Sequence, residues 1–526
     1  PAAPARLGPT GFRRVWETWL PAALVVLGIG LRVRQYLARR SLWNDEAALA
    51  LNVVRRSYRG LLKPLDIEQG APLGFLWAQR TAVNVLGNNE LSLRLVPLLS
   101  GIAGLVLFAV LARRLLSPWA VAPAVLLFAT LGPLVYYSAE AKQYSVDVAV
   151  TVLLVYATVR LLDGRVSVRR AVAWGAVGCA SMLVSHPSVF VLAACSLVAC
   201  VVLAVREGPR ALAAFAPAVA LWVAELAVLY AVSLRHLRAN PALEAFWKEG
   251  YAPEPLRLGT AVPWVGRVVA GLVPNPVELS APVLVLVLVA VGTGVLLARR
   301  LPAGLLVIAV AAAALSAGLL GMYPLKWRLA LYLVPVVLLA LAASVDAAPG
   351  GGGPTAVVVR VLALAALAAV AVHPVREAAD VAVHPYQVTE ARTVLAHVKA
   401  GARPGDVVYV HWAGAVLYDY YAPVLGLPAR AGYFRVERAA DCSSDPVAAL
   451  RGARRVWAVF AFPPVYDAAE SAETSLTELD RLGRRVESWT APGNTRAVLY
   501  ETTATPDPGG RPPGSGACLS VVPDPQ

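Results

Sequence analysis

"ETWLPAALVVLGIGLRVRQYLARRSLWNDEAALA", residues 17–50, decides the class of fold. Its first part, 17–37, is an apolar run of the length that crosses about 30 Å of hydrocarbon as a helix. Asp45 and Glu46 follow within ten residues. Two adjacent carboxylates at the end of a span mark either a helix start or a place where chemistry happens. Asn44 or Asp45 can cap a helix beginning "EAALALNVVRR". A cap accounts for only one of the two acidic groups. The pair can also hold a proton or a metal ion, because ionisable residues at a membrane are costly unless they are used.

Apolar runs of the same kind recur at 91–112, 117–137, 143–162, 171–185, 187–205, 211–232, 281–298, 303–321, 329–345 and 355–372. With the first, they make eleven candidate spans. Those at 171–185 and 187–205 share the turn "SHPS" and can also be read as one interrupted span. Composition agrees with this pattern: 58% of the 526 residues are hydrophobic and 15% are charged. Soluble domains average roughly 45–50% and about 25%. The chain reads as a mainly α, polytopic membrane protein. Its net charge of +14 lies largely in Arg of short connections, so the expected partner is anionic lipid and no nucleic acid is expected.

Basic residues in short loops set orientation. Arg13 and Arg14, "ARRLL", "RLLDGRVSVRR", "VREGPR" and "LARRLP" fall on one side, expected to be cytoplasmic. The long loops at about 38–90 and 233–280 fall on the other. No cleavable signal peptide is legible, and a sequence starting at Pro1 without Met is expected to have a trimmed start. An odd number of spans places the C-terminal part outside the cell. There the composition changes. "RPGDVVYVHWAGAVLYDYY" reads as turn, strand and helix, "RRVWAVF" and "TRAVLYET" as strands, and "DAAESAETSLTELDRL" as a helix. The expected domains are a membrane domain at 1–372, with interfacial helices in its first outer loop, and a small extracytoplasmic α/β domain at 373–503. A Pro/Gly-rich tail follows at 504–526.

Five cysteines divide by context. Cys179, Cys195 and Cys200 lie in apolar runs and read as small core residues. Cys442 and Cys518 lie in the polar C-terminal part. They read as one disulfide if that part faces an oxidising compartment, or as two unrelated thiols.

Besides the acidic pair, three polar clusters fall at outer span ends under this topology. "VYYSAEAKQYSVDV", residues 135–148, carries Glu140, Lys142 and Tyr144. A snorkelling Lys is the plain reading of Lys142. "GMYPLKWRLALYLVP", residues 321–335, carries Lys326 and Arg328 on either side of Trp327. Aromatic belts and snorkelling explain it, as does an anionic ligand. "SHPS" carries His186, for which a helix-end structural role is the plain reading. The segment around Trp77 has helical spacing and reads as a helix along the membrane surface, preceded by the rigid turn "GAPLG". Carboxylates and cations on one membrane face suit a lipid-linked sugar phosphate: cations hold the phosphate as it leaves, and a carboxylate deprotonates an acceptor hydroxyl.

The ordered set "WNDEA", "APL", "LGNNELSLRL", "YYSAEAKQYS", "SHPS", "FWKEG", "YPLKWRLALYLVP" and "PGDVVYVHWAGAVLYDYY" resembles the GT-C glycosyltransferases. These use polyprenyl-phosphate sugars and include protein O-mannosyltransferases and lipid A aminoarabinose transferases. The resemblance implies a multi-pass enzyme of the bacterial inner membrane that acts with inversion at the extracytoplasmic face. It implies Asp45 as catalytic base and Glu46 as the second acidic position, orienting the acceptor or joining a divalent metal site. Lys142 and Arg328, with Lys326, would hold the donor phosphate, and Glu140 and Tyr144 would line the pocket. His186 is the remaining pocket candidate. Two departures stand out. The turn is Ala71-Pro72-Leu73 where the family often has Pro-Pro-Leu, and Lys142 stands where Arg is common. The competing readings are a transporter or flippase for a lipid-linked or anionic substrate and a non-catalytic scaffold subunit. A transporter more often shows repeats and mid-membrane polar groups.

Overall fold

The computed structural model describes residues 15–348, 353–427, 450, 453–461, 469–493 and 495–502. Cys442 and Cys518 lie outside the described residues. The chain divides into two compact units. One holds residues 1–38 and 56–385, the other residues 39–55 and 386–526.

The first unit is a helical membrane domain, and the chain is a multi-pass membrane protein. Among the described residues, nine helices are long and apolar enough to cross a bilayer, or ten when the bent pair Pro118–Thr130 and Gly132–Ala139 counts as one span. The sequence reading gives eleven. The difference lies at 171–185, where the helix Val168–Val184 has 17 residues and stops at Ser185. Ser188–Glu207 then starts a new helix after Pro187. Trp327–Ala347 is the central span, with 83% of its apolar window buried, whereas Pro209–Arg238 is peripheral, with 17%.

The bend of 59° in the broken span follows from its sequence. Pro133 has no N–H to offer the Ala129 carbonyl four residues earlier, and Gly132 next to it loosens the turn. Two carbonyls facing apolar surroundings then need other donors. Arg32, fully buried in the span Val15–Leu37, supplies them. Its guanidinium donates to the carbonyl oxygens of Phe128 at 3.1 Å, Ala129 at 3.2 Å and Gly28 at 2.9 Å. A charged side chain inside a span is costly to bury, and these three bonds offset part of that cost. Small residues bring the helices close. A Cβ on Gly28 would lie 2.8 Å from the Ala129 side chain, and one on Gly101 would lie 2.6 Å from Ser138.

The first outer loop contributes the helix Leu73–Leu86. Leu73, Phe75, Leu76, Gln79 and Val83 are buried, while Val85 and Leu86 are exposed. Gln79 ties the helix to the long span behind it by donating to the Leu93 carbonyl at 2.8 Å.

The second unit is a small α/β domain. Its four strands are β1 (Val407–Val410), β2 (Arg455–Ala461), β3 (Gly483–Ala491) and β4 (Thr495–Thr502), in the order β1-β2-β4-β3. β1 and β2 are parallel, with Val408 opposite Trp457. The other pairs are antiparallel, with Trp457 opposite Leu499 and Trp489 opposite Ala497. Turn, strand and helix follow one another as the sequence predicts: Gly405 takes φ +90° before β1, and the helix Ala415–Leu425 comes after it. The expected strands at "RRVWAVF" and "TRAVLYET" are β2 and β4, and the expected helix is Ala469–Leu482. Tyr409, Phe460, Leu476, Leu479, Val498 and Tyr500 share one core. β3 is an edge strand with exposed charges, as edges that resist further pairing are.

The helix Asn44–Arg55 belongs to this second unit, where it packs on Ala415–Leu425. The Leu42 N–H donates to the Tyr421 hydroxyl at 2.8 Å, and Thr389 Oγ1 donates to the Leu42 carbonyl at 3.2 Å. The tyrosines of "HWAGAVLYDYY" are therefore core residues: Tyr418, Tyr420 and Tyr421 are all buried.

Candidate functional site

The acidic pair begins a helix in the second unit. Asn44 is the first helical residue, so Glu46 is the third and Trp43 caps the end. Glu46 Oε2 accepts the Trp43 N–H at 3.3 Å, one half of a capping box. The same oxygen meets Arg40 Nη1 at 3.5 Å, and both side chains are sealed from solvent. Asn44 Nδ2 donates to the Ala413 carbonyl. The cap thus falls on Glu46, not on Asn44 or Asp45. Asp45, on the opposite flank of this first turn, is only half-buried. Helix geometry separates the two roles: neighbours in sequence point about 100° apart on a helix.

The basic candidates lie in the membrane unit, at the ends of two helices. Residues 140–143 form a tight connection into the helix Tyr144–Leu162. Within it the Lys142 N–H donates to the Glu140 carbonyl at 2.7 Å. Glu140 and Lys142 are both buried. Lys142 Nζ donates to Gln69 Oε1 at 2.5 Å. Gln69 follows two residues, Ile67 and Glu68, with φ of +60° and +53°. Non-glycine residues reach this left-handed region only when their surroundings impose it, and such strain gathers at functional loops.

Arg328 sits in the short 3-10 helix Trp327–Leu333, which opens the central span. Its Nε donates to the Tyr144 hydroxyl at 2.8 Å. The guanidinium also lies over the rings of Trp247, at 5.3 Å, and Tyr144, at 5.7 Å. Tyr137 packs edge-on to Tyr144 at 5.1 Å. Lys142, Glu140, Tyr144 and Arg328 are thus brought to one end of the membrane unit's helices. Lys326 is engaged differently. It stacks on Trp327 at 4.0 Å and pairs with Glu249, whose carboxyl it holds below the usual range. His186 is set between two helices, and burial pushes its ring down to about 4, so it is neutral at physiological pH.

Reasoning from sequence passed over Gln69, Trp247, Glu249, Asp147 and Tyr323. Gln69 stands in the loop before "GAPLG", and Trp247 and Glu249 stand in "FWKEG". Neutral and aromatic partners of a cation carry no signal of their own until the chain folds. Among the described residues, no three His, Cys, Asp or Glu side chains gather as a metal site would require.

A family model described as dolichyl-phosphate-mannose-protein mannosyltransferase matches residues 70–236. Among solved structures, the chain resembles ArnT from Cupriavidus metallidurans in the apo state. Identity is 16%, the match covers 92% of this chain and 99% of that one, and the TM-score is 0.50. The chain has the GT-C fold. The same enzyme bound to undecaprenyl phosphate matches at 15% identity over 94% and 100% of the two chains, with TM-score 0.48. The Archaeoglobus fulgidus oligosaccharyltransferase in complex with Zn and sulfate matches at 11% over 91% and 72%, with TM-score 0.48. A search of the curated proteins returned no match. The family match takes in Gln69's neighbour Gly70 and runs through Glu140, Lys142, Tyr144 and His186.

Proposed function

We propose that the chain is a membrane glycosyltransferase that moves a sugar from a polyprenyl-phosphate donor to an acceptor hydroxyl. The reading is supported most by one observation: buried Lys142 and Tyr144-bound Arg328 lie at one end of the helices of a GT-C fold. A pair of cations at the end of membrane spans suits the phosphate of a lipid-linked donor, whose tail stays in the bilayer. Arg328 offers a planar fork and Lys142 a point charge. The family model that covers Lys142 and Tyr144, though not Arg328, is named for dolichyl-phosphate-mannose, which agrees with the donor class.

The chemistry is a single displacement. The acceptor oxygen attacks the anomeric carbon, the bond from that carbon to the phosphate oxygen breaks, and polyprenyl phosphate leaves with the electron pair. Inversion follows from attack opposite the leaving group. Lys142 and Arg328 stabilise the charge that develops on the phosphate, an effect worth about 10²–10³ in rate for one well-placed donor. Asp45 takes the acceptor proton. Glu46, held by Arg40 and the Trp43 N–H, sets the turn that presents Asp45. Lys326 would contribute at the rim, Glu140 and Tyr144 would line the pocket, and neutral His186 would support it. Orientation follows the arginines of the short loops, so the site and the α/β domain would face the extracytoplasmic side of a bacterial inner membrane.

Release of free polyprenyl phosphate from a reconstituted, sugar-loaded donor tests the reading. A transferase releases it, whereas a flippase or a scaffold subunit does not. Lys142→Ala and Arg328→Ala are expected to weaken donor binding by tenfold or more. Unchanged affinity in both would remove them from the phosphate site.

A further inference from the structure

One buried cation takes no part in the proposed chemistry. Arg32 lies near the outer end of the span Val15–Leu37 and is fully buried. Its guanidinium reaches across to the broken span and donates to the carbonyls of Phe128 at 3.1 Å and Ala129 at 3.2 Å. Nη1 also donates to the Gly28 carbonyl of its own helix at 2.9 Å. The guanidinium is a rigid planar fork, so these bonds fix one span against the other in angle as well as in distance. The Phe128 ring adds a contact at 5.9 Å. The carbonyls that Arg32 takes lie just before Leu131, where the backbone leaves the helix at ψ 120°. Arg32 therefore grips the hinge of the 59° bend itself. A continuous helix would satisfy the same carbonyls with its own N–H groups and bury no charge. An ionisable residue kept inside a membrane span points to function.

The arm beyond the hinge, Gly132–Ala139, delivers the chain to Glu140 and Lys142. Its far end is held on two sides. Gly101 lets Ser138 come so close that a Cβ there would lie 2.6 Å from it, and Ser145 Oγ donates to the Tyr137 carbonyl at 3.0 Å. Arg32, Tyr137, Ser145 and Leu331 line one small cavity. Leu331 belongs to the same 3-10 helix as Arg328. Arg32 thus lies next to both segments that carry the cations. We propose that Arg32 is a positioning residue for donor binding: it fixes the hinge, and the hinge sets where Lys142 stands. The inference rests on the proposed transferase reading and adds to it a residue that touches no part of the donor. Leverage gives the size of the effect. At about 1.5 Å per residue the arm is about 12 Å long, so a change of about 5° at the hinge moves its end by about 1 Å. A displacement of that size in a binding group can cost as much as 10²-fold.

The test measures two quantities on the full-length chain in nanodiscs: affinity for undecaprenyl phosphate and the melting temperature. Arg32→Met is expected to lower both, with binding weaker by about tenfold or more. A structural role alone would do the same, so a second change separates the two. Pro133→Ala returns an N–H to the Ala129 carbonyl and lets the helix run on. In Arg32→Met with Pro133→Ala the melting temperature is expected to recover while binding stays weak, because the hinge angle is lost. Recovery of binding together with stability overturns the positioning role. Arg32→Lys keeps the charge and guards against a variant that does not fold. It lacks the fork, and binding is expected to weaken several-fold. Wild-type affinity in Arg32→Lys also overturns the proposal. The route is tested by coupling. With Lys142→Ala already in place, Arg32→Lys is expected to weaken binding no further, and a full additional loss overturns action through Lys142. Failure of wild type to bind the lipid at all instead overturns the transferase reading, and this inference with it.

Discussion

Two buried carboxylates in this chain have opposite surroundings. Glu46, in the α/β unit, is closed: Arg40 pairs with it, the Trp43 N–H bonds to it, and solvent is excluded. Asp147, in the membrane unit, is also buried, and its Oδ1 has no hydrogen-bond partner among the described residues. Burial alone therefore does not tell whether a carboxylate's hydrogen bonds are met inside the fold; a carboxylate whose partners are all internal, as at Glu46, holds the fold.

The largest expected effect breaks the comparison within the acidic pair itself. Asp45→Asn keeps shape and removes the proposed base, so turnover should fall by about 10²–10⁴ with the melting temperature unchanged. Sugar transfer at the wild-type rate would take Asp45 out of the scheme. Arg40→Met should act in the opposite way, leaving Glu46 buried without its cation and costing about 3–5 kcal/mol of stability. Adding Glu46→Leu should restore most of that loss in thermal unfolding. A single variant as stable as wild type would show that the pair does not hold the turn.

Acid should strain the closed unit next. His411 lies on the Phe460 ring at 5.5 Å, and its Nδ1 accepts the Ala413 N–H at 3.4 Å. Burial, with Arg496 adding to it, pushes its pKa from 6.5 down to about 4. Between those values the unfolded chain binds a proton that the folded one does not. Stability is therefore full above pH 6.5 and falls as pH drops towards 4, by roughly 3 kcal/mol for this one group. His411→Gln should flatten that part of the stability curve, and an unchanged slope would assign the acid sensitivity elsewhere. His186 should act in the same direction in the membrane unit. The smallest effect belongs to Lys142→Arg. It keeps the charge that a phosphate needs, so donor affinity measured by titration should stay within a few-fold, whereas Arg328→Lys should lose more because its fork and ring stacking go with it.

Much of this was legible in the chain. Long apolar runs announced the membrane helices, because hydrocarbon demands about 20 apolar residues whatever surrounds them. Alternating β-branched stretches gave β2 and β4. The cations were visible as charges where charge is costly. Other features were not. "SVRRAVAWGAVGCASMLVS" is apolar enough to suggest a span, yet the helix it forms ends after 17 residues because Ser185–Pro187 stops it. Edge strand β3, rich in charge, carries no apolar alternation and escaped notice.

Local sequence determined what depends on neighbours along the chain: hydrophobic length, helix starts, turns at Pro-Gly, and the charges a bilayer makes conspicuous. Tertiary structure alone decided what depends on partners far away in sequence. It joined residues 39–55 to the α/β unit through Tyr421 and Thr389, gave Arg32 to the carbonyls freed by Pro133, and left Asp147 short of a hydrogen bond. A hydrogen bond is satisfied or not by groups within about 3 Å in space, and no spacing in a sequence records that distance.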